Sequence, residues 1–358
     1  MLLSLFCGAG GLDLGFEKAG FSVGLGFDRN SDSVLSYNEN RTAGKVAHVG
    51  DVAALTLKQL DTVFKGRFSP SGVIGGPPCQ SFSQANVRQF DDDPRHNMPI
   101  AFASLLGKLN RRDPVDFFVM ENVVGLTLKR HQKTLAKTLT MFRRAGFVVE
   151  QAILDAKDYR TPQTRQRLFL VGFNKKKFPD LRWTPPAKAD GPTPTVRDTI
   201  SWLPKPAFFE RGLDCEAIDP HPNHWCMTPK SPKFGRAGAL EEGDFTSRSF
   251  KTLAWDKPSI AVAYGHREVH IHPTGTRRLS VYEAMLLQGF PREFRLHGNL
   301  SSQIRQVSEA VPFPLALAVA RSVSEHLAFA KSGRVVQFHR PDREVAEPLA
   351  PLRNVVVR

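Results

Sequence analysis

At 358 residues, 41% hydrophobic and 23% charged, the chain is large enough for one sizeable core and a second, smaller lobe. No apolar run approaches the roughly 20 residues of a bilayer span, no basic stretch precedes the short apolar N-terminus, and four scattered cysteines (Cys7, Cys79, Cys215, Cys226) make no disulfide framework. The expectation is a cytoplasmic protein with reduced thiols and no membrane partner. The net charge of +14 favours a polyanionic partner through counterion release, although residues 177–276 carry only +1 against +8 for 1–176 and +5 for 277–358.

Over the first 175 residues short β-favouring apolar runs alternate with helical patterns, the signature of an α/β domain on a mostly parallel sheet. The runs predict strands at Leu2 to Phe6, Val23 to Asp28, Val46 to Val49, Gly72 to Gly75, Phe117 to Glu121, Val148 to Leu154 and Leu168 to Phe173. From about residue 176 prolines crowd in, from Pro179 to Pro206, and amphipathic periodicity disappears. Helical patterning resumes at Ser280 to Gln288, where Ser280 and Glu283 read as a capping box, and around Pro314 to Phe329. The α/β domain is therefore expected to be discontinuous, made of residues 1–176 and 277–330, with a smaller lobe at 177–276 and a tail at 331–358.

The strand ending in Phe6 runs into Cys7-Gly8-Ala9-Gly10-Gly11 and then an amphipathic helix through about Ala19. Glycines there permit close backbone approach and leave helix N-terminal amides facing an anion. Asp28 ends the next strand, where an acid can take both hydroxyls of a ribose, and Asp51, in Gly50-Asp51-Val52, is placed to accept from an adenine amino group. This pattern fits any nucleoside cofactor and also fits plain tight packing and a surface turn.

Gly75-Gly76-Pro77-Pro78-Cys79-Gln80 is more specific. Two glycines and two prolines after an apolar strand form a stiff turn that sets a cysteine at the strand's carboxyl end, where open α/β sheets place their sites. That frame favours a reactive thiolate over a packed thiol.

Five motifs then occur in one order: Phe6-Cys-Gly-Ala-Gly-Gly11, Pro77-Pro-Cys-Gln80, Glu121-Asn-Val123, Gln163-Thr-Arg-Gln-Arg167 and Gln288-Gly-Phe-Pro291. In this the chain resembles the DNA cytosine carbon-5 methyltransferases, the bacterial modification methylases, over roughly residues 2–175 and 277–320. The resemblance implies a Rossmann-like S-adenosylmethionine-dependent domain, with a smaller, irregular target-recognition domain inserted near the C-terminal end at 177–276. It implies S-adenosyl-L-methionine as methyl donor, S-adenosyl-L-homocysteine as product and no metal. The cofactor residues would be Phe6, Gly8, Gly10, Gly11, Leu12, Asp28, Asp51, Val52 and Pro78. The catalytic residues would be Cys79, Glu121, Arg165 and Arg167. Cys79 would add to carbon-6 of a flipped-out cytosine; Glu121 would protonate N3, which needs a raised carboxyl pKa; Arg167 would contact O2; Arg165 would position Glu121 or a substrate phosphate. The partner would be double-stranded DNA, met by a monomer, with a cognate restriction endonuclease acting separately.

Within 177–276, Asn223, His224, Arg236, Arg248, Lys251, His266 and Arg267 are candidates for contacts to bases or phosphates, while the spacing of His221, His224, Cys226 and Cys215 is not that of a zinc finger. Three departures from the family pattern stand out. Arg160 occupies a position where relatives commonly have glycine; Ser308-Glu309-Ala310-Val311-Pro312 replaces Gly-Asn-Ala-Val-Pro; and no short leader precedes the first strand. The rival readings are the same chemistry on RNA, a catalytically silent DNA-binding relative suggested by Glu309, and a nicotinamide dehydrogenase. The last is disfavoured because the glycine pattern is not G-x-G-x-x-G and the Pro-Pro-Cys-Gln turn is left without a role.

Overall fold

Every residue of β1 (Leu2–Leu5) is buried, and the rest of the architecture is laid around it. The computed structural model describes residues 1–41, 44–78, 98–246, 250–261 and 270–332. β1 lies between parallel neighbours β2 (Val23–Asp28) and β4 (Gly72–Gly75); β2 carries β3 (Ala47–Val49) and β4 carries β5 (Phe117–Val123). With β6 (Phe147–Asp155) and β8 (Gln166–Asn174) the order is β3-β2-β1-β4-β5-β8-β6, β8 running antiparallel to both its neighbours. All seven predicted strands are present in this one sheet.

Side chains alternate between its two faces, as strand geometry requires. Leu3, Leu5, Phe118, Met120 and Leu170 pack with residues of α3 (Leu57–Phe64), α4 (Met98–Arg112) and α5 (Gln132–Arg144). Leu2, Ile74, Phe117, Val119 and Phe169 pack with α1 (Gly11–Lys18) and α9 (Phe313–Lys331). Each such large apolar side chain contributes about 1.5–3 kcal/mol of burial. α1 and α9 approach so closely that a Cβ on Gly15 would lie 2.5 Å from the backbone of Ala316.

From β1 the chain crosses to β2 on one side and later returns to β4 on the other, so a crevice opens at their carboxyl ends. Both the glycine turn and the Pro77-Pro78 turn lie there.

Between β8 and α7 (Val281–Leu287) the described chain forms only short pieces, among them α6 (Val196–Ile200) and the paired strands β9 (Ala207–Phe208) and β10 (Trp225–Cys226). β11 (Ser259–Ile260) pairs with β7 (Gln163–Thr164), just ahead of β8. Val196, Ile200 and Leu253 share one apolar cluster with α7 and with α8 (Leu300–Glu309), so this segment rests on the helices that follow it. The Ser280–Glu283 capping box is formed. α8 has no counterpart among the sequence expectations; Asn299 caps it, and Ile304 and Val307 are its only large buried apolar residues.

Glu283 joins the two regions. It receives Arg277 through both carboxylate oxygens at 2.7 and 2.8 Å and the backbone N–H of Ser280 at 2.7 Å, while it is 1% exposed. Burial pushes neighbouring His272 down to about 4, leaving it neutral at physiological pH. Glu283→Ala strands Arg277 as a buried unpaired charge and is expected to lower unfolding free energy by about 3–5 kcal/mol. Urea unfolding measures this, and a loss below about 1 kcal/mol would refute the joint role.

Candidate active site

The glycine turn is built on left-handed backbone. Phe6 has φ 56°, Gly8 φ 53° and Gly10 φ 91°. A non-glycine residue held at positive φ costs on the order of 1 kcal/mol, and such strain concentrates at functional sites. Gly10 N–H donates to the Cys7 carbonyl at 2.9 Å, and α1 begins at Gly11. A Cβ on Gly11 would lie 2.7 Å from the Val311 carbonyl oxygen, so the segment after α8 closes directly on the helix start.

Asp28 accepts from the N–H of Gly8 at 2.9 Å and from that of Asn30 at 2.8 Å, which locks the end of β2 to the turn. Burial raises its carboxyl pKa against those two hydrogen bonds and the Arg305 charge. Asp51 caps Ala53 N–H at 3.0 Å and pairs with Arg29 at 3.1 Å. The side chains of Leu12 and Val52 lie in the two cores, so what they can present to a ligand is backbone. Glycines lining the crevice, backbone N–H groups at a helix start and acids ending β2 and β3 together suit a nucleoside with a charged tail.

The second half of the crevice centres on Glu121, near the end of β5. β5 and β8 pair with Glu121 opposite Phe169, which puts Arg167 on the same face, one diagonal step away. Arg167 Nε reaches Glu121 Oε1 at 2.9 Å. Burial pushes the Glu121 carboxyl up, opposed by the charges of Arg167 and Arg165. Glu121 Oε2 lies 2.8 Å from where a Cβ on Gly76 would be, and Asn122 Nδ2 donates to the Pro77 carbonyl at 3.3 Å. The turn leading to the cysteine is thus fastened to the strand carrying the acid. Pro77 is buried and Pro78 half-buried. Cys79 itself lies outside the described residues.

The two arginines take different partners. Arg167, expected to contact the base, pairs with Glu121 through Nε. Arg165, 2% exposed, takes Asp155 at its backbone N–H, sends its guanidinium to the Ser308 carbonyl and lowers the Glu121 pKa through its charge.

Sequence reasoning missed a glutamine relay. Gln163 Nε2 donates to Gln288 Oε1 at 2.8 Å, and Gln288 Nε2 donates to the Ala310 carbonyl at 2.6 Å, both side chains being fully buried. The relay ties the arginine segment to α7 and to the residues covering Gly11. Its only sequence signal was the presence of Gln163 and Gln288 in two of the quoted motifs.

Two of the three departures border the site. Arg160 adopts φ 61°, the conformation glycine would supply, and its guanidinium donates to the Asp190 carbonyl at 3.1 Å, so the turn survives. At Ser308-Glu309-Ala310 the backbone carbonyls of Ser308 and Ala310 accept from Arg165 and from Gln288.

Two candidate base readers are corrected. Asn223 is buried and bonds both backbone groups of Leu296 through its amide, with Nδ2 donating to the Leu296 carbonyl at 2.8 Å and Leu296 N–H donating to Oδ1 at 2.9 Å. His224 is fully buried between Ser280 Oγ and the Pro204 carbonyl. His221 stacks on Tyr282 at 4.1 Å, and burial pushes the Cys226 thiol up to about 12. These groups pack the segment onto α7. Among the described residues no three His, Cys, Asp or Glu side chains are grouped to hold a metal. Arg248, His266 and Arg267 lie outside the described residues, and Arg236 is exposed.

Comparison with known proteins agrees with this geometry. The family model for C-5 cytosine-specific DNA methylases matches residues 1–325. The Type II methyltransferase M.MthTI of Methanothermobacter thermautotrophicus is 32% identical over 91% of this chain and 97% of its own length. M1.HphI of Haemophilus parahaemolyticus, also a Type II methyltransferase, is 33% identical over 90% and 86%. Among solved structures, the S. pombe Dnmt2 methyltransferase superposes with a TM-score of 0.60 at 18% identity, covering 91% of this chain and 98% of that one, a likeness of fold. The chain therefore belongs to the C-5 cytosine-specific DNA methylase family and is a DNA cytosine-5 methyltransferase, of a family that takes its methyl group from S-adenosylmethionine.

Proposed function

We propose that the enzyme methylates one cytosine within a specific duplex DNA sequence, through a covalent bond between Cys79 and carbon-6 of the base. The observation that carries this reading is Glu121: a buried carboxyl with a raised pKa, held by Arg167, against the turn that leads into Cys79. Carbon-6 becomes electrophilic only if the charge pushed into the ring is neutralised. Glu121 in its acid form donates a proton to N3 as the thiolate adds, and Arg167 contacts O2 and steadies the carboxylate left behind. Carbon-5, now enamine-like, accepts the electrophilic methyl that bound S-adenosylmethionine supplies. Loss of the carbon-5 proton to a base then expels the Cys79 thiolate and restores the aromatic ring.

The cofactor is held by Phe6, Gly8, Gly10, Gly11 and Leu12 at the glycine turn, by Asp28 on the ribose, by Asp51 and Val52 at the adenine and by Pro78. Arg165, sealed against the Ser308 carbonyl, acts as a positioning residue for Glu121 rather than on a phosphate. Duplex DNA is required to surrender the base, at a few kcal/mol that protein contacts offset. Residues 177–276 form the target-recognition domain, inserted into a catalytic domain of 1–176 and 277–330, and 331–358 is a tail. The enzyme acts as a cytoplasmic monomer, with no resident metal, alongside a separately acting restriction endonuclease. No helix among the described residues is long and apolar enough to cross a membrane.

Membership of a family of methyltransferases weighs against the silent-relative reading that Glu309 suggested. Tritium transfer from labelled S-adenosylmethionine decides between the remaining substrates. Label is expected in 5-methylcytosine of duplex DNA and not in RNA; label confined to RNA, or found in no DNA of any sequence, refutes the proposal.

A further inference from the structure

Behind the glycine turn lies a buried polar cluster to which the mechanism gives no role. Asp13, in the first turn of α1, is 1% exposed. Tyr37, near the end of α2 (Ser31–Glu39), donates its hydroxyl to Asp13 Oδ1 at 2.9 Å. Ser4 of β1 and Cys7 of the turn also face Asp13, as do Glu17 on its own helix and Arg41 just beyond α2. The Arg41 guanidinium lies 3.4 Å over the Tyr37 ring, donates to Glu17 through Nε at 2.9 Å and to the Tyr37 carbonyl through Nη1 at 2.8 Å. A Cβ on Gly10 would lie 2.7 Å from Arg41 Nη2. Arg41 Nη2 and Asp13 Oδ2 are both buried without a hydrogen-bond partner among the described residues.

Two features go beyond packing. An asparagine at 13 would keep the Tyr37 hydrogen bond without a charge, whereas a carboxylate this deep is costly. Burial pushes the Asp13 carboxyl up to about 6 against the pull of Arg41, so the charge is present at neutral pH. With a folded pKa above the ordinary carboxyl value, the stability held at low pH is lost as pH rises through about 6. The second feature is the balance of charge: Asp13 and Glu17 outweigh Arg41 directly beneath the turn. A glycine turn at a helix start by itself favours anions, but S-adenosylmethionine is a net cation, its sulfonium and ammonium outweighing one carboxylate.

We propose that Asp13 is a positioning residue for S-adenosylmethionine: with Tyr37 and Arg41 it fixes the Gly8–Gly11 backbone, and its charge supplies the negative balance that admits a cationic cofactor. The inference rests on the cofactor reading above. The experiment is calorimetric titration of S-adenosylmethionine and, separately, S-adenosylhomocysteine into wild-type and Asp13→Asn enzyme between about pH 5.5 and about 7.5. Wild-type affinity for S-adenosylmethionine is expected to rise as pH passes about 6. At neutral pH Asp13→Asn is expected to bind S-adenosylmethionine on the order of ten-fold more weakly, the neutral product within about two-fold, and to lose the pH dependence. The variant should also melt higher relative to wild type at about pH 7.5 than at about pH 5, which shows it folded and relieved of the buried charge.

Equal losses for both ligands would reduce Asp13 to packing and overturn the proposal. So would a pH dependence that persists in Asp13→Asn, since Asp28, also raised by burial, would then be its source. The wild-type profile alone is a test if the variant does not fold: flat S-adenosylmethionine affinity across pH 6 overturns it. If wild type binds neither ligand, the cofactor reading falls as well; if it binds both and Asp13→Asn matches it, only this inference falls.

Discussion

Cys79→Ser is expected to lower methyl transfer to duplex DNA by at least about 10⁴-fold, with S-adenosylmethionine affinity unchanged within about two-fold. A serine hydroxyl ionises far less readily than a thiol, and Glu121, paired with Arg167, is proposed to act as an acid and not as a base. Most of the proposed cofactor residues sit at the ends of β1, β2 and β3, and a serine at 79 leaves their backbone unchanged, so the two effects are separable. Single-turnover transfer and cofactor titration on the same preparation measure both. Serine activity above about one hundredth of wild type would mean that covalent addition does not limit the reaction and that Cys79 is not its nucleophile. A complementary result is expected with duplex containing 5-fluorocytosine, which cannot lose its carbon-5 substituent as a proton: wild type is trapped as an adduct that survives denaturation, and Cys79→Ser is not.

What could be read ahead of the structure was what short-range physics encodes. The central strands β1, β4 and β5 announce themselves as apolar runs, because a strand covered on both faces has no polar side to dilute the pattern. The glycine turn and the Gly75–Pro78 turn were equally legible, since left-handed backbone and rigid corners demand particular residue types at fixed positions. α8 escaped because its buried face is largely Ser302, Gln303 and Gln306, so burial there carries no apolar signature. For the same reason the Gln163–Gln288 relay and the Asp13 cluster were invisible: their partners are 125 and 24 residues away in sequence, and nothing local marks a buried amide or acid. Asn223 and His224 failed the other way. Both looked like surface readers of bases because polar residues in an irregular segment are usually exposed, yet Asn223 satisfies the backbone of Leu296 and His224 bridges Ser280 Oγ and the Pro204 carbonyl. Which arginine pairs with Glu121 depends on strand register, which fixes the diagonal and which sequence spacing alone does not supply.

The same register makes Glu121→Gln the sharper probe of the chemistry. Glutamine keeps the volume and can still bond Arg167 through its carbonyl, but it has no proton to give to N3. The expected loss is about 10²–10⁴-fold in the chemical step, the range of general acid catalysis, with DNA affinity retained. The pH profile carries the decisive sign. Burial raises the Glu121 pKa, so the acid form persists above the ordinary carboxylate range and is lost as pH climbs through the raised value. If Glu121 must donate, wild-type single-turnover rates fall on that alkaline limb, whereas Glu121→Gln is slow and lacks the limb. Should the two profiles run parallel from about pH 5 to about 9, the proton comes from elsewhere and Glu121 acts only as an anchor for the base. Arg167→Ala separates the two arginine roles in the same assay: with its main counter-charge gone, burial raises the Glu121 carboxyl further, so the alkaline limb moves to higher pH even as the rate falls. A limb that moved to lower pH would contradict the ion pair as the force that holds that carboxyl's pKa down.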